Sequence, residues 1–162
     1  MGEAVDHSLR FLTSSDIHAM IAYVKSVPPV ADASNPAAVR TPLEPSHPAP
    51  LTVSAGSSSL GLQVFEGACA SCHGFDGSGT EWPQADLVGG RTVNDPAAVN
   101  LTQVVIEGAN IHTPNGQVFM PAFGHGYSDA EIAAVANYVT ARFGTTASQL
   151  TAADVSKIRQ GD

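Results

Sequence analysis

The sequence predicts an all-α domain closed around a centre that protein alone does not fill. Three observations carry that expectation. Capped helix signals recur between residues 57 and 144, no convincing alternating strand lies between them, and the connecting stretches are longer than a compact domain sustains unaided. The first helix is expected from the serines at 57–59 to Cys69, because Leu60, Val64, Phe65 and Ala68 recur at near-helical spacing. A second is signalled by Asp95 as N-cap, Pro96 at the first helical position, apolar Ala98, Leu101, Val104 and Val105, and Gly108 past its end. The third starts at Ser128, where Ser-x-x-Glu with Glu131 forms a capping box. Ile132, Val135, Ala136 and Val139 make its apolar stripe, and Gly144 ends it. In the tail at 145–162, Thr151-x-x-Asp154 repeats the cap and predicts a short helix over 151–159. Phe65, Phe75, Trp82, Phe119, Phe123, Tyr127, Tyr138 and Phe143 all fall within 57–144 and suit the walls of a large flat cofactor, an ordinary aromatic core being the alternative.

Upstream, prolines at 28, 29, 36, 42, 45, 48 and 50 and the run Ser54-Ala55-Gly56-Ser57-Ser58-Ser59 mark residues 31–56 as a linker, too poor in large apolar groups to offset ordering. Before it, Leu12 to Val24 aligns with Tyr127 to Val139 at a constant shift: the cap recurs as Thr13-x-x-Asp16, and Ile, Ala, Tyr and Val coincide. Residues 1–30 are therefore expected to be the C-terminal remnant of a preceding domain of the same kind. The first residues lack the positive and apolar regions of a secretion signal, so any such signal is expected further upstream.

The chain has 162 residues, with seven Lys+Arg against fifteen Asp+Glu for a net charge of −8, and so lacks the cationic surface that DNA or RNA binding needs. Between 57 and 144 there is no lysine, and Arg91 and Arg142 face Glu66, Asp76, Glu81, Asp86, Asp95, Glu107, Asp129 and Glu131. Docking is expected to be apolar around the cofactor edge, or to use a basic partner through a small transient interface. No run of eighteen apolar residues exists, and Lys157 and Arg159 are too few to anchor the tail, so any membrane association runs through a larger assembly.

The only two cysteines stand as Cys69-Ala70-Ser71-Cys72, with His73 directly after. A disulfide scaffold needs several spaced pairs, a zinc ribbon needs a second ligand pair, and a redox Cys-x-x-Cys wants a βαβ setting that the sequence lacks. Cys-x-x-Cys-His instead suits covalent attachment of one c-type haem: both thiols add to the vinyl groups and the adjacent imidazole reaches the iron. For the sixth iron ligand Met120 is the best candidate, in Phe119-Met120-Pro121-Ala122-Phe123-Gly124, with His112 and His125 as rivals. An iron held on both sides exchanges electrons without changing ligands, so an electron carrier rather than an enzyme is expected. The alternative is a peroxidase-like haem enzyme or ligand sensor in which Met120 leaves the iron. Arg91 and Trp82 are candidate partners of the haem propionates, by charge and by indole N–H.

These residues resemble class I cytochrome c. Gly61 and Phe65 before Cys69, the run from Cys72 to Gly79, Met120-Pro121-Ala122-Phe123, and Tyr138-Val139 match that family over 57–144. The resemblance implies the cytochrome c fold, with first and last helices crossing near Gly61 and Phe65 packing toward Val135 and Tyr138. It also implies His73 as proximal and Met120 as distal iron ligand. The linker, the half-domain before it and the segment from Leu87 to Pro96 are further similar to the C-terminal domain of multi-haem cytochrome subunits of bacterial membrane-bound dehydrogenases. That similarity implies a dehydrogenase catalytic subunit as donor, quinone, a cytochrome or an oxidase as acceptor, and a periplasmic location or the periplasmic face of the inner membrane. The pattern departs in one place: Ala85 stands where that family has Pro two before Leu87, so the carbonyl that should accept the His73 proton is an open question.

Overall fold

Capping boxes open three helices, and in each the Ser or Thr hydroxyl accepts from the N3 amide while the N3 carboxylate accepts from the cap's own amide. The computed structural model describes residues 8–28, 57–79, 83–113 and 116–161. The chain divides into two units, Met1–Pro42 and Leu43–Asp162. In the first, a 3-10 turn at Leu9–Phe11 precedes helix α1 (Ser14–Ser26), which buries no residue. The expected linker at 31–56 lies outside the described residues.

The second unit begins with α2 (Ser57–Val64), continues through a π-helical turn at Phe65–Cys69, and ends that stretch in α3 (Ala70–His73). Helix α4 (Val99–Glu107), the antiparallel strands β1 (Ala109–Thr113) and β2 (Gly116–Met120), α5 (Asp129–Phe143) and α6 (Ala152–Gln160) follow. Helix α5 is central, packed by α2, α4 and α6. Its expected stripe, Ile132, Val135, Ala136 and Val139, is buried, and Ile132, Val135 and Val139 each contribute roughly 1.5–3 kcal/mol by leaving water.

The α2–α5 crossing is as close as the resemblance implies. A Cβ on Gly61 would overlap the Ala134 carbonyl oxygen and lie 2.8 Å from Tyr138 Cβ, so only glycine lets the two backbones meet. One turn on, the Phe65 ring packs 5.3 Å from Tyr138 and 5.4 Å from Phe143, with Val135 in the same core. Phe65, Tyr138 and Phe143 thus pack on one another in the core, whereas Phe75 and Phe119 are exposed.

Two further expectations need correction. The domain is not wholly helical, because β1 and β2 pair from Ala109↔Met120 to Thr113↔Gly116. The alternation Ala-Asn-Ile-His-Thr and Gly-Gln-Val-Phe-Met around Asn115-Gly116 is a hairpin signal that the small apolar count obscured. The second helix also begins later than Asp95-Pro96 suggests. Asp95 Oδ1 accepts from the Ala97 amide in a local turn, and the helix starts only after Ala98, which adopts a left-handed φ of 49° at the cap.

Candidate functional site

The short hydrogen-bond pattern around the cysteines fixes where they face. The amide of Ala70 donates to the Phe65 carbonyl, one residue wider than an α-turn. That surplus residue turns the following side chains about 100° relative to the face that α2 packs on α5. Cys69 is half-buried and Cys72 exposed, and no disulfide joins them. Burial first, and then the neighbouring Cys72 thiolate, push the Cys69 thiol up to about 11.

His73 ends α3, and Gly74, at φ 75°, breaks the helix behind it. The loop then folds back, with the Gly79 amide donating to the His73 carbonyl at 2.8 Å and the Leu87 amide to the Gly77 carbonyl at 2.7 Å. This return carries the 3-10 turn Pro83–Ala85 to the imidazole, where the Ala85 carbonyl accepts from Nδ1 at 2.6 Å. The open question about Ala85 is thereby answered: the acceptor is main chain, so alanine serves as proline does. Nδ1 is committed as a donor, which in the neutral imidazole leaves Nε2 with its lone pair available to a metal.

Met120 closes β2, on a separate element. Cross-strand pairing puts Met120, Val118, Ala109 and Ile111 on one face of the hairpin and Phe119, Gln117, Asn110 and His112 on the other. Met120 and Val118 are half-buried, whereas Phe119, Gln117 and His112 are exposed. His112 therefore faces away from Met120, and His125 is exposed in the turn before α5. After Pro121 the chain returns onto the end of α4, where the Phe123 and Gly124 amides donate to the carbonyls of Val105 and Ile106, each at 3.0 Å. Those are carbonyls that a helix end leaves without partners, so the end of α4 holds the Met120 loop. Gly108 is required at the joint: its φ is 76°, and a Cβ there would collide with the Met120 carbonyl.

Of the other expected contacts, Arg91 is exposed in the turn between Gly90 and Asn94. Trp82 lies outside the described residues. Spacing arguments missed the polar pairs that fasten the tail to α5, in which Asn137, Thr140 and Ser148 take part. Among the described residues no group of three His, Cys, Asp or Glu could hold a metal, and no helix is long and apolar enough to cross a membrane.

Two thiols a turn apart, an imidazole fixed through Nδ1 with Nε2 presented, and a thioether on a tethered loop fit a c-type haem. Comparisons with known proteins agree. Residues 58–139 match the family described as cytochrome C oxidase, cbb3-type, subunit III. The chain is 31% identical, over 99% of its length, to the fructose dehydrogenase cytochrome subunit of Gluconobacter japonicus, of which it covers 36%. It is 31% identical over 98% of its length to the cytochrome c subunit of alcohol dehydrogenase (quinone) from Gluconacetobacter polyoxogenes, covering 34% of it. It is also 30% identical over its whole length to the gluconate 2-dehydrogenase cytochrome c subunit of Pantoea cypripedii, covering 37%. The chain thus spans roughly a third of each relative. A matched domain that contains the Cys69–His73 turn, the Met120 hairpin and all but the last turn of α5 places this chain in that cytochrome c family.

Proposed function

We propose that the chain carries single electrons through one haem, linked by thioethers to Cys69 and Cys72 and held axially by His73 Nε2 and the Met120 sulfur. The observation that carries this reading is the Nδ1–Ala85 bond, which sets the imidazole tautomer for metal binding beside both thiols. Haem bound there supplies a one-electron couple. The protein's part is to keep the same side chains in place in both oxidation states. Ala85 holds the His73 ring, the α4 carbonyls hold the Met120 loop, and Pro121 stiffens it. Arg91 is proposed as counter-charge to a propionate, and Trp82 as a second donor to it.

The relatives' names support a dehydrogenase catalytic subunit as donor; the proposed acceptor is quinone, a cytochrome or an oxidase, and the proposed setting the periplasm or the periplasmic face of the inner membrane. Residues 1–30 are proposed to end a preceding cytochrome domain of a longer protein. Helix α1 presents Ile17, Met20, Ile21 and Val24 at the positions that α5 buries.

The ferric methionine-to-iron charge-transfer band tests the ligation. It is expected in the matured protein, together with inertness to carbon monoxide. Met120→Ala is expected to remove the band, open the iron to carbon monoxide and lower the reduction potential. An unchanged spectrum in that variant assigns the sixth position to another residue. Rapid carbon monoxide or peroxide reaction of the native protein favours the haem-enzyme alternative.

A further inference from the structure

The family match ends at residue 139, yet the chain remains ordered against the domain through the last turn of α6. The connection runs back along α5. The Asn137 carboxamide donates to the Leu150 carbonyl at 2.9 Å and accepts from its amide at 2.8 Å, while the Ser148 amide donates to the Thr140 hydroxyl at 2.9 Å. This seats α6 across α4 and α5, with Val155 and Ile158 sharing a core with Ile106, Ile132 and Ala133.

From the last turn of α6, Arg159 reaches the segment that links Met120 to α5. Its Nε and Nη2 donate to one carboxylate oxygen of Asp129, the first residue of α5, at 3.0 and 2.8 Å. Its Nη1 donates to the Gly124 carbonyl at 2.8 Å. The same Gly124 donates its amide to the Ile106 carbonyl. The peptide units at Gly124 are therefore gripped from both sides, by the end of α4 and by a guanidinium that also fixes the start of α5. Packing there is tight, since a Cβ on Gly124 would stand 2.8 Å from the Ile106 oxygen and 3.0 Å from Arg159 Nη1.

We propose that Arg159 is a positioning residue for Met120: α6 is a strap that keeps the distal loop shut. The proposal rests on Met120 being the distal ligand. A thioether bond to iron competes with incoming ligands, and the competition depends on how freely the loop swings away. The planar fork of arginine serves both acceptors from three nitrogens held in fixed geometry, a spread that the single nitrogen of a lysine ammonium does not reproduce.

The test uses the full chain, matured with haem, as wild type, Arg159→Gln and Arg159→Lys. One readout is hydrogen exchange at the Phe123 and Gly124 amides, and the other is imidazole binding to the ferric iron, which must displace Met120. For Arg159→Gln both are expected to rise about tenfold, the scale of a partly exposed charge-assisted hydrogen bond, with Arg159→Lys between it and wild type. If Arg159→Gln does not fold, Arg159→Lys, which keeps the apolar stem and the charge, carries the measurement. Exchange and imidazole affinity within twofold of wild type in the folded variants overturn the strap while leaving Met120 as ligand. A wild type without the methionine band overturns the ligand reading and the proposal with it, whatever the exchange rates show.

Discussion

Helices α1 and α5 are written in nearly the same way and end in opposite circumstances. Both open with a complete capping box, Thr13 with Asp16 and Ser128 with Glu131. In α5, Ile132, Val135, Ala136 and Val139 are at most 7% exposed; in α1 their counterparts Ile17, Met20, Ile21 and Val24 are 42–67% exposed. Along α1 these residues, with Leu9 and Leu12, line an open groove of about 450 Å³. Caps and apolar spacing are therefore sufficient to specify a helix, but whether its stripe is buried is decided elsewhere. For α5 it is decided by Gly61 and Phe65, far upstream in the chain. Nothing of that kind faces α1 among the described residues of its own unit.

The largest test of this contrast deletes a side chain from each stripe. Ile132→Ala is expected to cost about 2–4 kcal/mol in urea unfolding followed by far-UV circular dichroism, whereas Ile17→Ala stays within about 0.5 kcal/mol. Equal costs would break the comparison. If a chain extended upstream raises the cost of Ile17→Ala toward that of Ile132→Ala, α1 has found the cover that α5 has here. A smaller effect is expected from the caps. Ser128→Ala should lower global stability by about 1 kcal/mol, while Thr13→Ala should leave the midpoint unchanged and reduce only the helical chemical shifts of 14–26. A helix of 13 residues without tertiary support is near the limit of stability in water, so it responds locally.

The smallest effect concerns acid. The Thr13 hydroxyl and then its amide hold the Asp16 carboxyl below its ordinary 3.8, and Ser128 acts likewise on Glu131 below 4.5. Because the folded values are depressed, the caps contribute fully above the unfolded values and lose that contribution as pH falls through the folded ones. Chemical shifts followed below pH 4 are expected to show α1 fraying while α5, held by its buried face, persists. Simultaneous loss in both helices would show that the cap, not burial, sustains α5.

What the sequence made legible follows the same division. Local signals were readable: the Ser/Thr-x-x-Asp/Glu boxes expected at Thr13, Ser128 and Thr151 form and Cys-x-x-Cys-His sits on one turn, while the close crossing at Gly61 came from the resemblance. Long-range polar pairing was not. Arg159 meets Gly124 across 35 residues, and Asn137 meets Leu150 across 13, with no periodicity to announce either. The hairpin was hidden because alternation in Ala109–Thr113 and Gly116–Met120 sets few large apolar residues against polar ones. Ala98 was beyond reach as well, since a left-handed alanine at a helix cap has no composition signal and Asp95-Pro96 pointed to an earlier start. The imidazole partner was legible in kind, a main-chain carbonyl, but not in position, because the replacement of proline by Ala85 left open which oxygen it was.

The wide turn at Phe65–Cys69 lets one stretch of chain answer to two masters. On its near side Val64 and Phe65 must satisfy the α5 interface, and on its far side stand Cys69, Cys72 and His73, the residues proposed to hold the haem. In an unbroken α-helix those two sets of demands would be locked in phase, so that any change in how α2 leans on α5 would swing the attachment residues with it. A single out-of-step peptide works as a universal joint between them. Mutational drift in the interhelical contact can then be absorbed upstream while the anchoring triplet keeps its aim.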